Sequence, residues 1–430
     1  MWQLTDDQRK LREHCREVAL EQIRPRVVEM ADGCEYPADI HKILAAERLL
    51  GLTVPKEYGG RGETDVSSCA SVEELARISG TVSLMAAYVT LFALPVVLAG
   101  TDEQKKRVLT PVLHGEHHAS YALSEPDVGS DPAGLQTRAD RHGDTWVLNG
   151  QKRFIGNAAL ADTYVVFART GDAGAKGVSA FIVDGHSPGL SVEPLSTMGM
   201  PGWQLGAPKF EDVEVPAENL LGKEGDGFKI AMMTFDRSRP TVAAQAVGVA
   251  QGALDLALDY AMRRYTFGVP LVQHEGMQFK LADMEVKVSA ARALTYQAAS
   301  AIDNDHPGLT KLAAMAKMVA SDAAMAVTTE AVQVLGGNGY LKDFPAERMM
   351  RDAKVLQIYE GANEIQKLVI IRQMLKLAKD REPVWPECMP GATSATKAAI
   401  GQKGQPPSSP QREAAAGQKQ DHAEPAGTLS

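Results

Sequence analysis

Cysteine is scarce and unpatterned: the four in 430 residues, Cys15, Cys34, Cys69 and Cys388, include no C-x-x-C pair. That excludes a disulfide framework and a zinc ribbon, and the four read as reduced thiols of a cytoplasmic protein. Basic blocks interleaved with aromatics are missing too, and a formal charge of −9 leaves no electrostatic footprint for nucleic acid. The start, MWQLTDDQRKLREHCREVALEQIRP, is charged throughout and lacks both a signal-peptide core and the acid-poor character of a transit peptide, so export is not expected. One uncharged run, Thr81–Gly100, has the length of a bilayer span. Its Thr81, Ser83, Tyr88, Thr90 and Pro95 favour a buried core helix instead, either plain core or the wall of an apolar ligand cavity, and no transmembrane segment is expected. There is no G-x-G-x-x-G after a strand, no G-x-x-x-x-G-K-[ST], no H-E-x-x-H and no G-x-S-x-G, which removes nicotinamide, P-loop, zincin and α/β-hydrolase chemistry. His117 and His118 are adjacent and point apart on regular structure, so no metal site is expected.

What remains is an enzyme-sized chain, 44% hydrophobic, with material for two or three domains. From Leu4 to about His114 the pattern is helical, with breaks at Pro25, Pro37 and the Val54–Gly62 loop and a helix start at Thr101-Asp102-Glu103. From Ala119 to about Pro216 short alternating runs such as TWVLNGQKRFI, with Asn149-Gly150 as a turn signal, TYVVFA and VSAFIVD predict a small β-domain. After Gly227 the helical period returns. Leu281, Met284, Val288, Ala291, Thr295, Ala298 and Ile302 step by threes and fours as a packing seam, and further helices are expected over 310–335 and 365–379. The fold class is therefore α+β, with a helical domain over 1–118, a β-domain over 119–226 and a helical bundle over 227–382. A Pro/Gly/Ala/Gln-rich tail, 383–430, is expected to be disordered.

Two stretches carry candidate chemistry. YALSEPDVGSDPAGLQTRA places Ser124, Gly129 and Ser130 in a turn-rich segment. On the residues alone it is either a loop of local Ser and Asp backbone bonds or a place where small residues let a polar heterocycle approach. LQIYEGANEIQ sets Glu360 between an apolar and aromatic run and a glycine, with no cation beside it in the chain. In isolation Glu360 reads as an acid complementing the dipole of a following helix.

Taken together, SEPDVGSD, NGQKRFIGN, FDRSRP, RRYTFG, QVLGGNGY and RDAKVLQIYEGANEIQ resemble, in order and spacing, the acyl-CoA dehydrogenase family of flavoproteins, over roughly Leu4 to Lys379. The resemblance implies an N-terminal helical domain, a middle β-domain and a C-terminal four-helix bundle, assembled as a homotetramer or dimer. It implies FAD, with Tyr121, Leu123, Ser124, Gly129, Ser130, Phe154, Ile155 and Gly156 along the isoalloxazine ring and Ala362 and Glu364 beside the cofactor. Arg264, Thr266 and Phe267, with Gln333, Val334, Gly336 and Gly337, would hold the phosphates and adenosine of a neighbouring subunit's FAD, a guanidinium and open glycine backbone suiting a pyrophosphate. Substrate contacts fall on Ser130, Asp236, Arg239 and Gly361, although Asp236 and Arg239 taken alone read as a surface ion pair of little worth.

By the same resemblance Glu360 is the base that takes the α-proton of an acyl-CoA while hydride leaves the β-carbon for flavin N5 and electrons pass on to an electron-transfer flavoprotein. Desolvation by Ile358 and Tyr359 would raise its pKa toward neutrality, and Gly361 would leave room for the thioester. Some relatives carry the base at the position of Ser238, which serine cannot serve. Gly156 and Phe154 stand where many members have threonine and tryptophan, and Ala362 replaces a frequent threonine. The alternatives are an oxidase using O2, a dehydrogenase of carrier-bound acyl groups and a non-catalytic thioester binder. Tyr88 and Phe92, if turned inward, shorten the cavity toward short or branched acyl groups.

Overall fold

The computed structural model describes residues 4–30 and 34–379, so the expected disordered tail and Cys388 lie outside the described residues. The described residues up to 375 pack as one unit. The first block holds α1 (Asp6–Val18), α2 (Arg24–Val27), α3 (Ala38–Ala46), α4 (Asp65–Ile78), α5 (Gly80–Ala99) and α6 (Asp102–Leu113). Capping boxes start α1 at Thr5 with Gln8 and α6 at Thr101 with Gln104, each satisfying two N–H groups that a helix end otherwise orphans. Pro25 does not break the first helix as expected. A π-helical turn, Ala19–Ile23, widens the chain, and Pro25 falls in the first turn of α2, where a missing N–H costs little.

The middle block is one nine-stranded sheet of β1 (Ala119–Ala122), β2 (Arg138–His142), β3 (Thr145–Gln151), β4 (Ile155–Gly156), β5 (Thr163–Arg169), β6 (Val178–Asp184), β7 (Leu190–Leu195), β8 (Leu205–Pro216) and β9 (Leu220–Leu221). Its main order is β4-β8-β3-β2-β5-β6-β9, with β1 running parallel to β5 and β7 paired to β8. The Asn149-Gly150 turn is a correction: both residues lie inside β3, at a bulge against β8. The tight turn falls instead at Gly143-Asp144, where His142 pairs with Thr145 and Gly143 adopts φ +63°. Gly150 is glycine because a Cβ there would stand 2.7 Å from the Thr137 backbone.

The third block comprises α7 (Gly227–Arg263), a short ladder of β10 (Tyr265–Thr266) and β11 (Val269–Pro270), α8 (Glu275–Asp303), α9 (Leu309–Leu335), α10 (Ala346–Leu356) and α11 (Asn363–Ala378). All seven predicted seam residues of α8 are buried. Helices α7, α8 and α9 pack on one another, and α4 lies along α7 and α8. Both α5 and α7 are long and apolar enough to cross a membrane, but 72% and 78% of their apolar windows are buried in the fold, the behaviour of core helices.

His118 enters a second cluster that the sequence did not announce. Its ring lies 4.6 Å from that of His41, and Tyr36 Oη meets His41 Nδ1 at 3.0 Å. His41 Nε2 and His118 Nδ1 are buried without partners, so neither ring has an acceptor for a further proton. Burial, then the neighbouring His118, lowers His41 from 6.5 to about 4. The unfolded chain therefore binds the extra proton in that window, and stability is lost as pH falls from about 6.5 to about 4, by on the order of 3 kcal/mol. Melting temperature followed against pH should drop more steeply in the wild type than in His41→Phe across this window; parallel curves would contradict it.

Candidate functional site

Two consecutive residues with left-handed backbone, Glu360 at φ +56° and Gly361 at φ +92°, form the link between α10 and α11. A non-glycine residue there is strained, and the strain is held by hydrogen bonds from three helices. From α7, Ser238 Oγ donates to Glu360 Oε2 at 2.5 Å and Arg239 Nε to the Glu360 carbonyl at 3.4 Å. From α9, Lys317 Nζ donates to the Gly361 carbonyl at 2.9 Å and to Asn363 Oδ1 at 3.0 Å. From α11, Gln366 Nε2 donates to the carbonyls of Glu360 at 3.2 Å and Gly361 at 2.8 Å. The room that Gly361 leaves is taken by Gln366, whose Nε2 lies 2.5 Å from where a Cβ would stand, rather than being kept open for a ligand as expected. The backbone N–H of Glu360 has no acceptor among the described residues.

The phenols of Tyr88 on α5, Tyr121 on β1 and Tyr359 lie within electrostatic reach of the Glu360 carboxyl. Burial raises the Glu360 pKa above the usual carboxylate value, outweighing the Ser238 hydrogen bond and the charges of Arg239 and Lys317. The apolar wall differs from expectation in one member. Ile358 is 56% exposed, and the enclosing groups are the aromatics of α5 and β1 together with Tyr359. Nor does Glu360 lack cations. Lys317, remote in sequence, is fully buried on α9, and burial pulls it down to about 8. Arg239 is also buried, paired with Asp236 Oδ1 at 3.1 Å, and Asp236 accepts from Thr310 at 2.7 Å, so this ion pair is no helix-surface ornament.

The loop after β1 is stapled by a buried pair. Lys152 Nζ donates to Glu125 Oε1 at 2.8 Å and to the Leu123 carbonyl at 3.1 Å, while Glu125 accepts the N–H groups of Gln136 at 2.6 Å and Thr137 at 2.9 Å. Burial opposes both charges. Lys152 falls to about 8, whereas Glu125 is held below its ordinary value because the ammonium and the backbone donors win. This fixes Ser124, whose carbonyl accepts from Arg153 N–H at 2.9 Å. It also presents Phe154, 59% exposed at φ +62°, with the Arg153 guanidinium 5.4 Å from its ring centroid.

The other expected cofactor residues separate into two groups. Leu123, Ile155 and Val334 bury their side chains in the core, leaving only backbone for a ligand, while Gly129 and Ser130 are exposed. Arg264, Phe267 (98% exposed), Gln333, Gly336 and Gly337 are exposed at the far end of α7 and α9, with Thr266 Oγ1 3.0 Å from His274 Nε2. Asn338 bonds Tyr260 at 2.9 Å and so ties the two segments together. Ala362 is the carbonyl that caps α11, accepting from Ile365 and Gln366, and Glu364 sits exposed in its first turn, the helix-dipole position considered for Glu360.

These features fit a flavin dinucleotide. The Tyr121 hydroxyl is buried without a partner, Phe154 just before β4 is a strained and exposed aromatic, and Gly129, Gly336 and Gly337 have nothing within 4 Å of a Cβ position, so backbone there is open to close approach. Among the described residues no group of three metal-ligating side chains occurs.

Comparison with known proteins agrees. Models of the N-terminal, middle and C-terminal domains of acyl-CoA dehydrogenase match residues 5–116, 120–213 and 225–375. A short-chain specific acyl-CoA dehydrogenase of Clostridium acetobutylicum is 42% identical over 370 residues, 85% of this chain and 97% of its own. Butyryl-CoA dehydrogenase of Megasphaera elsdenii superimposes with a TM-score of 0.84 at 41% identity, covering 87% of this chain and 100% of that one. A chain solved with the electron transferring flavoprotein of Acidaminococcus fermentans as subject gives 0.85 at 42% identity, with the same coverage.

Proposed function

The chain belongs to the acyl-CoA dehydrogenase family of FAD-dependent oxidoreductases, and from that premise we propose that it converts an acyl-CoA to the trans-2-enoyl-CoA with Glu360 as the base. The observation that carries this is the Glu360 turn, a raised-pKa carboxyl held by Ser238 through one oxygen and lying within electrostatic reach of Tyr88 on α5 and Tyr121 on β1. FAD, when bound, supplies the acceptor for the β-hydride. The chain's own part is to take the α-proton on the free carboxylate oxygen, to exclude water with Tyr88, Tyr121 and Tyr359, and to offer the unengaged Glu360 N–H to the thioester carbonyl as charge grows there. Positions 238 and 360 converge within hydrogen-bond distance, which explains how relatives can carry the base at either. The charges of Arg239 and Lys317 oppose the rise that burial imposes on the carboxyl.

Lys317 supplies a separate test. With Lys317→Met a cation near Glu360 and the donor to Gly361 are lost, so the acidic limb of kcat/KM against pH is expected to move up; an unmoved limb with merely lower activity would make Lys317 structural only.

The same helix α7 supports assembly. Arg264 lies 26 residues beyond Ser238, about 39 Å along the axis, farther than one dinucleotide bound beside Glu360 extends. The exposed Arg264, Phe267 and Gly336 group therefore serves the FAD of a neighbouring subunit in a homotetramer or dimer. Electrons pass to an electron-transfer flavoprotein, and the buried thiols Cys15 and Cys69 suit the cytoplasm. Anaerobic mixing with butyryl-CoA should bleach the flavin, with slow reoxidation in air. Rapid reoxidation would instead favour an oxidase, and a colourless purified protein a binder.

A further inference from the structure

No side chain fits at position 156. A Cβ there would stand 2.6 Å from the Trp203 indole and 2.9 Å from two ring carbons of Tyr88. Both are rigid aromatics, 8% and 9% exposed, that meet edge to face at 5.1 Å. Tyr88 is further pinned by the Tyr121 N–H, 3.1 Å from its hydroxyl, and the Gly156 carbonyl by Ser120 Oγ at 2.6 Å. Helix α5 therefore delivers bulk and a hydroxyl to a place where strand β4 supplies neither.

The space between α5, α7 and the Glu360 turn is also filled. Gln245 is fully buried, donates Nε2 to the Gly80 carbonyl at 2.9 Å and accepts from the Tyr359 hydroxyl, which bridges α7, α5 and the Glu360 turn. Of the two residues considered for shortening the cavity, Phe92 is fully buried in the core, whereas Tyr88 lies against Gly156. Every residue of α5 from Gly80 to Thr90 is buried, so this stretch of the helix offers no open lining for a long acyl chain.

We propose that Tyr88, seated over Gly156, is the specificity-determining residue that ends the acyl slot and restricts the enzyme to CoA thioesters of short acyl groups. This rests on the reading that Glu360 and FAD face each other across that slot. The phenol also narrows the slot at the strand where the flavin is placed, so the glycine and the tyrosine act as one unit. Restoring a side chain at 156 requires removing the ring at 88.

The test uses the holoenzyme, a dye acceptor and butyryl-, hexanoyl-, octanoyl- and decanoyl-CoA. The wild type should favour butyryl-CoA, kcat/KM falling about tenfold or more at each step the slot cannot house. Tyr88→Ala should raise the octanoyl to butyryl ratio by about tenfold or more, whereas Tyr88→Phe, which keeps the ring, should preserve the wild-type order. A wild type indifferent to length, or an unchanged ratio in Tyr88→Ala, overturns the proposal while leaving the dehydrogenase reading intact. Absence of turnover and of anaerobic bleaching with every thioester overturns both. A second readout is independent of turnover. Gly156→Thr should lose FAD on gel filtration, measured as absorbance at the flavin band per protein, and Tyr88→Ala/Gly156→Thr should regain it; equal retention in Gly156→Thr and wild type contradicts the shared volume.

Discussion

Glu360→Gln is expected to retain FAD and to bind acyl-CoA while losing turnover by roughly three or more orders of magnitude, at the upper end of what one acid–base group contributes. The amide preserves the shape of the turn. It can still accept from Ser238, and its backbone carbonyl still receives Arg239 and Gln366, so the backbone N–H offered to the thioester is unchanged. What disappears is the site for the proton. The measurement is a pair: dissociation constants for a thioester by flavin absorbance change, and kcat with a dye acceptor. Weak binding together with low kcat would indicate a damaged turn, and retained kcat would place the base elsewhere.

Lys152→Met is expected to have the largest effect on stability. It leaves Glu125 buried at 5% exposure with no cation, facing only the N–H groups of Gln136 and Thr137. Breaking such a pair from one side costs about 3–5 kcal/mol, because the remaining charge must be neutralised or solvated. The loops that carry Ser124, after β1, and Phe154, between β3 and β4, loosen with it, so FAD should be lost before the protein unfolds. Removing both charges in Lys152→Met/Glu125→Gln should recover a large part of the loss, as the penalty lies in the unpaired ion more than in the absence of the pair. Denaturant unfolding and flavin content measured on the same samples decide it. A cost below about 1 kcal/mol for the single variant would mean water reaches Glu125.

The parts legible in the sequence are those governed by local periodicity or by contiguous motifs. The α8 seam from Leu281 to Ile302 is buried at each expected position because a 3.6-residue period fixes one helix face regardless of partner. Thr101 starts α6 as read, since capping is decided within four residues. Asn149-Gly150 misled because the same dipeptide that makes a hairpin turn also makes a bulge, and the choice lies with the neighbouring strand β8. Pro25 misled because a π-turn upstream absorbed it.

At the site, the gap between reading and structure is one of sequence distance. Glu360 has no cation beside it in the chain, yet Lys317 arrives from α9 and Arg239 from α7. A signal for Lys317 did exist. It sits on the apolar stripe of Ala313, Ala320 and Ala324 in a helix otherwise rich in alanine, and all four are buried, a placement a lysine does not take without a buried partner. Gln366 and Asn363 carried no such mark, being ordinary polar residues of a first helical turn. The exchange between Tyr88 and Gly156 was unreadable in kind, because it joins α5 to β4 across a domain boundary.

The central claim is that Glu360 can reach the α-carbon of a thioester and remove its proton, separately from any hydride transfer. Acetyl-CoA isolates that step, having α-hydrogens and no β-carbon to oxidise. Incubated with the holoenzyme in D2O and followed by proton NMR, its methyl signal should decay faster with the wild type than without enzyme, and at the uncatalysed rate with Glu360→Gln. Exchange catalysed equally by both proteins would contradict the account.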